Sequence, residues 1–161
     1  MRALIVSLLL FATACASARA ESTDTFQSLA GEWHGQGQFQ GAPSEVSARF
    51  APLFDGGAWS LDIDIRFSPP GRAAMRFQGR GGYVLREGVP VGGTWVDSFA
   101  NAYEITPRLE GGALVVDWGE EGVSGRSVYR ALPTGGLRIE DMIQAQDGQW
   151  RTFATAELQR R

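Results

Sequence analysis

Gly31-Glu32-Trp33-His34-Gly35-Gln36-Gly37 decides the fold. The stretch places an indole between glycines on what reads as the first strand of a small all-β protein. An indole there suggests the floor of a closed barrel, with the ring plugging one end. The glycines let the strand bend hard and let its neighbours come close.

Outward from that strand, apolar residues alternate with period two, as half-buried strands require. In 58–67, Trp59, Leu61, Ile63, Ile65 and Phe67 fall on one face, and Ser60, Asp62, Asp64 and Arg66 on the other. Turn signals recur: Asp55-Gly56-Gly57, Pro69-Pro70-Gly71, Glu87-Gly88, Glu110-Gly111-Gly112, Glu121-Gly122, Thr134-Gly135-Gly136 and Asp147-Gly148. Glycine reaches the positive φ of tight hairpins. The stretches between turns run roughly 8–12 residues, the spacing of a β meander. About ten strands are expected, near 31–40, 44–51, 58–67, 72–86 (one strand or two), 91–98, 101–109, 113–118, 124–131, 137–145 and 149–159. Closing such a meander into an up-and-down antiparallel barrel removes its sheet edges. A two-sheet sandwich, the main rival, usually needs longer connections. A short N-terminal helical turn ending at Leu29, capped by Thr23 or Asp24, precedes the first strand.

Residues 1–20 read as a signal peptide: Arg2, then an apolar run from Ala3 to Ala14, then the small-x-small pattern Ala18-Arg19-Ala20. The run is short for a membrane span, and no later run is apolar enough for one. A competing reading takes Phe11-Ala12-Thr13-Ala14-Cys15 as a lipobox with a lipid anchor at Cys15. Ala12 stands where leucine is more typical, which favours plain cleavage. Either way the expectation is an exported, periplasmic or membrane-anchored domain spanning 21–161.

Cys15 is the sole cysteine, so a domain cut after Ala20 has no disulfide, thiol nucleophile or cysteine metal site. About 140 residues suffice for one domain with a sizeable core. All 15 basic residues are Arg, which removes Schiff-base chemistry and lysine phosphate loops. The formal charge of −3 becomes −5 once Arg2 and Arg19 leave with residues 1–20. A mildly acidic domain without a basic run is a poor partner for nucleic acid.

The opening 29–37, the mid-chain Gly93-Thr94-Trp95-Val96-Asp97-Ser98 and the ending from Trp150 to Arg160 resemble calycin-type barrels. That group contains lipocalins, fatty-acid-binding proteins and nitrobindins, and the likeness is to a bacterial family of calycin-like domains with no assigned function. The resemblance covers nearly all of 21–161 and implies fold far more than function, because such barrels carry many ligands. It also implies that a late Arg, Arg160 or Arg151, stacks on Trp33 and closes that end.

His34 is the sole histidine. Neighbouring side chains of a strand face opposite ways, so an inward Trp33 turns His34 outward beside Glu32 and Gln36. The nitrobindin likeness implies a haem-ligating His near the C-terminal end, yet 124–161 contain none. No cofactor or metal is expected, and a Ser-His-Asp triad, which would need His34, is set aside. Glu120-Glu121 beside Asp117 reads as a solvated turn rather than a calcium site, and Gly79, Gly81 and Gly82 as a strand bend rather than a phosphate loop.

The candidate ligand site is Trp95, Asp97, Tyr103, Arg126 and Asp141. Asp97 is in phase with Trp95 and Val91, Asp141 with Leu137, Ile139 and Ile143, and Tyr103 with Asn101 and Ile105. A carboxylate on an apolar face needs a partner or water. Arg126 and Arg130, flanking Val128, are the expected partners. Polar groups set in an apolar cavity are the usual design of a small-molecule site. The five tryptophans, Trp33, Trp59, Trp95, Trp118 and Trp150, fall in five different strands as core or as pocket wall. The leading expectation is a barrel that binds a small apolar or amphipathic ligand without catalysis. The alternatives are an enzyme using Asp97 and Asp141 as acid and base, and a filled barrel acting as an envelope accessory.

Overall fold

The structure is a computed structural model that describes residues 25–120 and 123–161. The expected signal peptide, Cys15, Thr23, Asp24 and the Glu121-Gly122 turn lie outside those residues. A helical turn over 25–29 leads into ten strands. These are β1 (Gly31–Phe39), β2 (Ala42–Leu53), β3 (Ala58–Phe67), β4 (Met75–Arg86), β5 (Val89–Asp97), β6 (Ala102–Glu110), β7 (Ala113–Glu120), β8 (Val123–Ala131), β9 (Leu137–Gln144) and β10 (Trp150–Arg160). Each pairs antiparallel with its neighbours in sequence, and β1 pairs with β10 to close an up-and-down barrel. The 72–86 segment is a single strand starting at Met75.

Two-residue hairpins keep the meander tight. Gln40-Gly41 (φ 51°, 78°), Glu87-Gly88 (53°, 82°) and Gly111-Gly112 (55°, 72°) each place two consecutive residues at positive φ. That conformation matches the twist of the flanking strands.

Trp33 sits at the start of β1 with 1% exposure. Its Nε1 donates to the Leu29 carbonyl at 2.8 Å, and the Arg160 guanidinium lies 4.4 Å from its ring centroid. Arg160 also donates to the carbonyls of Ala30 and Ser28, so it ties β10 to the entry segment. Of the two arginines the resemblance implied, Arg160 takes the stacking place, while Arg151 pairs with Asp147 at 3.0 Å. Phe26, Leu29, Trp59 and Tyr83 pack around this end and fill it.

The β1 glycines serve close approach. An ideal Cβ on Gly35 or Gly37 would lie 2.1 Å or 1.9 Å from a β10 carbonyl oxygen. On β3 the alternation holds throughout: Trp59, Leu61, Ile63, Ile65 and Phe67 are buried, and their alternates are not. The outward acids find arginines across the strands, Asp62 with Arg80 and Asp64 with Arg76. The hydrogen bonds from Arg76 hold the Asp64 carboxyl below its ordinary range, against a smaller opposing effect of burial.

Candidate ligand site

Between the Trp33 plug and the far end of the barrel lies a cavity of about 200 Å³. Its wall is largely aromatic: Phe39, Phe77, Tyr83, Trp95, Phe99, Tyr103, Trp118, Tyr129 and Phe153, with Ile63, Ile65, Ile105 and Val116 between them. Phe39, Phe77, Phe99 and Phe153 form a ring-on-ring cluster at the far end, with centroids 5.4 to 6.0 Å apart.

Of the expected site residues, Trp95, Asp97, Tyr103 and Asp141 line this cavity together. Register explains their meeting. Trp95 pairs with Tyr103 across β5 and β6, and Asp141 pairs with Ser127 across β8 and β9.

Two tryptophans lie flat because glycines face them. A Cβ on Gly79 would sit 2.1 Å from the Trp95 ring, and one on Gly125 would sit 2.3 Å from the Trp118 ring. Gly79 and Gly81 are therefore a floor for Trp95 within a continuous β4. Gly79→Ala should force the ring off the strand and cost about 1–2 kcal/mol, the scale of core overpacking. Gly92→Ala is the control, since its Cβ would meet nothing within 4 Å. Urea midpoints should separate the two variants, and equal midpoints would exclude the glycine–ring contact as the cause.

The expectation for Arg126 is corrected. On β8 the inward residues are Gly125, Ser127 and Tyr129, so Arg126, Val128 and Arg130 face outward. Arg126 bonds Asp117 at 2.6 Å and lies 4.4 Å from the Trp150 ring centroid. Arg130 donates to the Gly111 carbonyl at 2.7 Å. Asp117 also accepts from Arg108 at 2.7 Å. Burial works against its charge, but the bonds from Arg126 and Arg108 outweigh that and hold its carboxyl below the ordinary range. Val91 is corrected too. A bulge sets Pro90 against Leu85 and Gly92 against Val84, which leaves Val91 unpaired and 51% exposed while Trp95 and Asp97 keep the inward phase. Ile143, expected to share the Asp141 face, is 38% exposed near the strand's end.

The two carboxylates differ. Asp97 closes the β5–β6 connection: it accepts from the backbone N–H of Phe99 (2.9 Å) and Asn101 (3.3 Å), from the Asn101 amide (3.1 Å) and from Trp95 Nε1 (3.3 Å). Asp141 stands deeper, in a polar cluster with Ser127, Tyr129 and Tyr83 that pattern reading missed. Its side chain keeps some accessibility through the cavity, yet the atoms packed around it exclude most water. That burial pushes its carboxyl up to about 6, against a partly offsetting bond from the Ser127 hydroxyl and helped by nearby Glu140. Burial likewise raises both Tyr83 and Tyr129 well above the ordinary phenol range. Ser127 also accepts from Trp118 Nε1 at 3.0 Å. A signal for this cluster was present: Gly125, Ser127 and Tyr129 share one phase, but Val128 drew the apolar face to the other.

His34 is exposed on the outer wall, its Nδ1 2.9 Å from the Ser47 hydroxyl. Among the described residues no group of three or more His, Cys, Asp or Glu is arranged to hold a metal ion.

No family model and no curated protein matches the chain. Solved structures do. The S-type phycobiliprotein lyase CPES from Guillardia theta matches with a TM-score of 0.54 at 11% identity, over 89% of this chain and 97% of that one. EF1p2_mFAP2b, solved bound to DFHBI, matches with a TM-score of 0.44 at 14% identity, over 84% and 95%. At 11% identity the likeness to the lyase is one of fold.

Proposed function

We propose that this barrel binds a small ligand, apolar or amphipathic, in the aromatic cavity. The observation that carries the reading is the cavity itself: about 200 Å³ of aromatic wall above a plugged floor, with a polar cluster to one side. A cavity of about 150 Å³ takes a benzene, and pockets that enclose drug-sized molecules run about 300–1,000 Å³. The buried part of the ligand is therefore one or two rings in size. Trp95 and Tyr103 supply stacking surface and Asp141 the polar orientation, while Asp97 holds the β5–β6 connection at the cavity wall. The phycobiliprotein lyase bears on this chain only as a barrel of related shape. The reading of residues 1–20 supports a site of action in the cell envelope.

Native mass spectrometry of protein purified without denaturation from its own host should show a retained small molecule. Val116 is buried on the cavity wall, so Val116→Phe fills the space while leaving both carboxylates unsubstituted. That variant should fold and lose the retained mass. Retention unchanged in Val116→Phe would remove the cavity as the binding site.

One observation favours a second reading, acid–base catalysis. Asp141 holds a carboxyl near 6 inside an apolar cavity, a poise suited to proton transfer near neutrality. The binding reading stands ahead of it because Asp97, the partner carboxylate, is occupied by four hydrogen-bond donors of the β5–β6 connection.

A further inference from the structure

The cavity wall has a consistent electrostatic sign. Two carboxylates line it, and among the described lining residues none is Arg, Lys or His. Four arginines are paired away from it: Arg126 and Arg108 with Asp117, Arg76 with Asp64, Arg80 with Asp62. The remaining wall is mainly aromatic, and ring faces carry the negative end of their quadrupole. An anionic ligand would meet like charge with no guanidinium to receive it. A cation would meet carboxylate and ring faces together.

Asp141 is the better seat of the two acids. A carboxylate offers about four acceptor sites. Asp97 fills its own with the Phe99 and Asn101 amides and the Trp95 indole. Asp141 receives the Ser127 hydroxyl and keeps acceptor capacity toward the cavity. Glu140, the preceding residue of β9, faces outward and receives the Thr152 hydroxyl, and its charge acts on Asp141 only through space.

We propose that the ligand is a small protonated amine on a flat apolar body, its nitrogen at Asp141 and its body against Trp95 and Trp118. This rests on the reading of the cavity as a ligand site and goes beyond it by fixing the sign of the ligand's charge. The geometry supplies both halves of the contact: ring faces held flat by Gly79 and Gly125, and a carboxylate beside them with room to accept.

Three probes of one shape test it. Phenethylamine, 2-phenylethanol and phenylacetate share a body and differ in head-group charge at about pH 7.5. Calorimetric titration of the full domain should give the order cation, neutral, anion, with phenethylamine at least about tenfold tighter than the alcohol. Asp141→Asn should remove that preference, bringing the amine to within about threefold of the alcohol on the same variant. Equal or tighter binding of the alcohol to the unsubstituted protein overturns the cation proposal and leaves the cavity a ligand site. Binding of none of the three up to millimolar concentration overturns both. Because the probe order is read on the unsubstituted protein, the test stands even if Asp141→Asn folds poorly.

Discussion

Trp33→Ala should cost about 3–5 kcal/mol, the range for truncating a large buried aromatic. The residue is 1% exposed, so nearly the whole ring volume becomes a cavity. Two further losses add to the transfer term. The Leu29 carbonyl loses its indole donor, and Arg160 loses the ring beneath it. The helical turn over 25–29, whose Phe26 and Leu29 close the same end, loses its seat. Against a total of about 5–15 kcal/mol for a domain, this is a large fraction. Trp33→Phe keeps a ring and drops the N–H, and should cost about 1–2 kcal/mol, chiefly the lost bond and the smaller volume. Urea denaturation with a constant slope is the measurement. A loss under about 1 kcal/mol for the alanine variant would show that the end is closed by the helical turn alone.

The barrel was legible because its period is simple. Strands such as β3 carry apolar side chains on one face without a break, and glycine turns mark their ends. The plug was legible for a similar reason, since one residue type at one position does the work. The site was harder. Side-chain phase tells inward from outward only when the apolar face is the inner one, and β8 breaks that rule. Its inner face carries Gly125, Ser127 and Tyr129, and its outer face carries Val128 between two arginines. Reading apolar as inward there turns Arg126 into the cavity, whereas the strand spends it on Asp117 and Trp150. Bulges hide in the same way. The register shift at Val84 and Leu85 turns Val91 outward, and another between Thr152 and Ala154 shifts β10 against β9. Pro90 and Gly92 flank the first, and nothing in the local composition marks the second. The glycine–tryptophan pairs were unreadable for a different reason: Gly79 and Trp95, or Gly125 and Trp118, meet only once strand neighbours and register are known.

Asp141→Asn should stabilise the protein at pH 8 and leave it nearly unchanged at pH 4. The folded-state carboxyl is raised to about 6 from an ordinary 3.8, chiefly by burial. The folded protein therefore holds this proton more tightly than the unfolded chain does. Unfolding free energy then falls as pH rises from about 4 to about 6, and the loss is complete above that. At roughly 1.4 kcal/mol per pH unit, the ceiling is about 3 kcal/mol. Asparagine carries no charge at any of these pH values, and its carbonyl accepts the Ser127 hydroxyl that the carboxylate now receives. The variant should gain about 2–3 kcal/mol over the parent at pH 8 and differ by under about 0.5 kcal/mol at pH 4. The difference between the two curves isolates the residue, because paired acids such as Asp64 and Asp117, whose lowered carboxyls act in the opposite sense, are common to both. Parallel curves from pH 4 to 8 would mean that water reaches Asp141 freely. A gain in stability joined to a loss of amine binding would mark a charge kept against the stability of the fold, as groups at binding sites are when a ligand supplies the compensating charge.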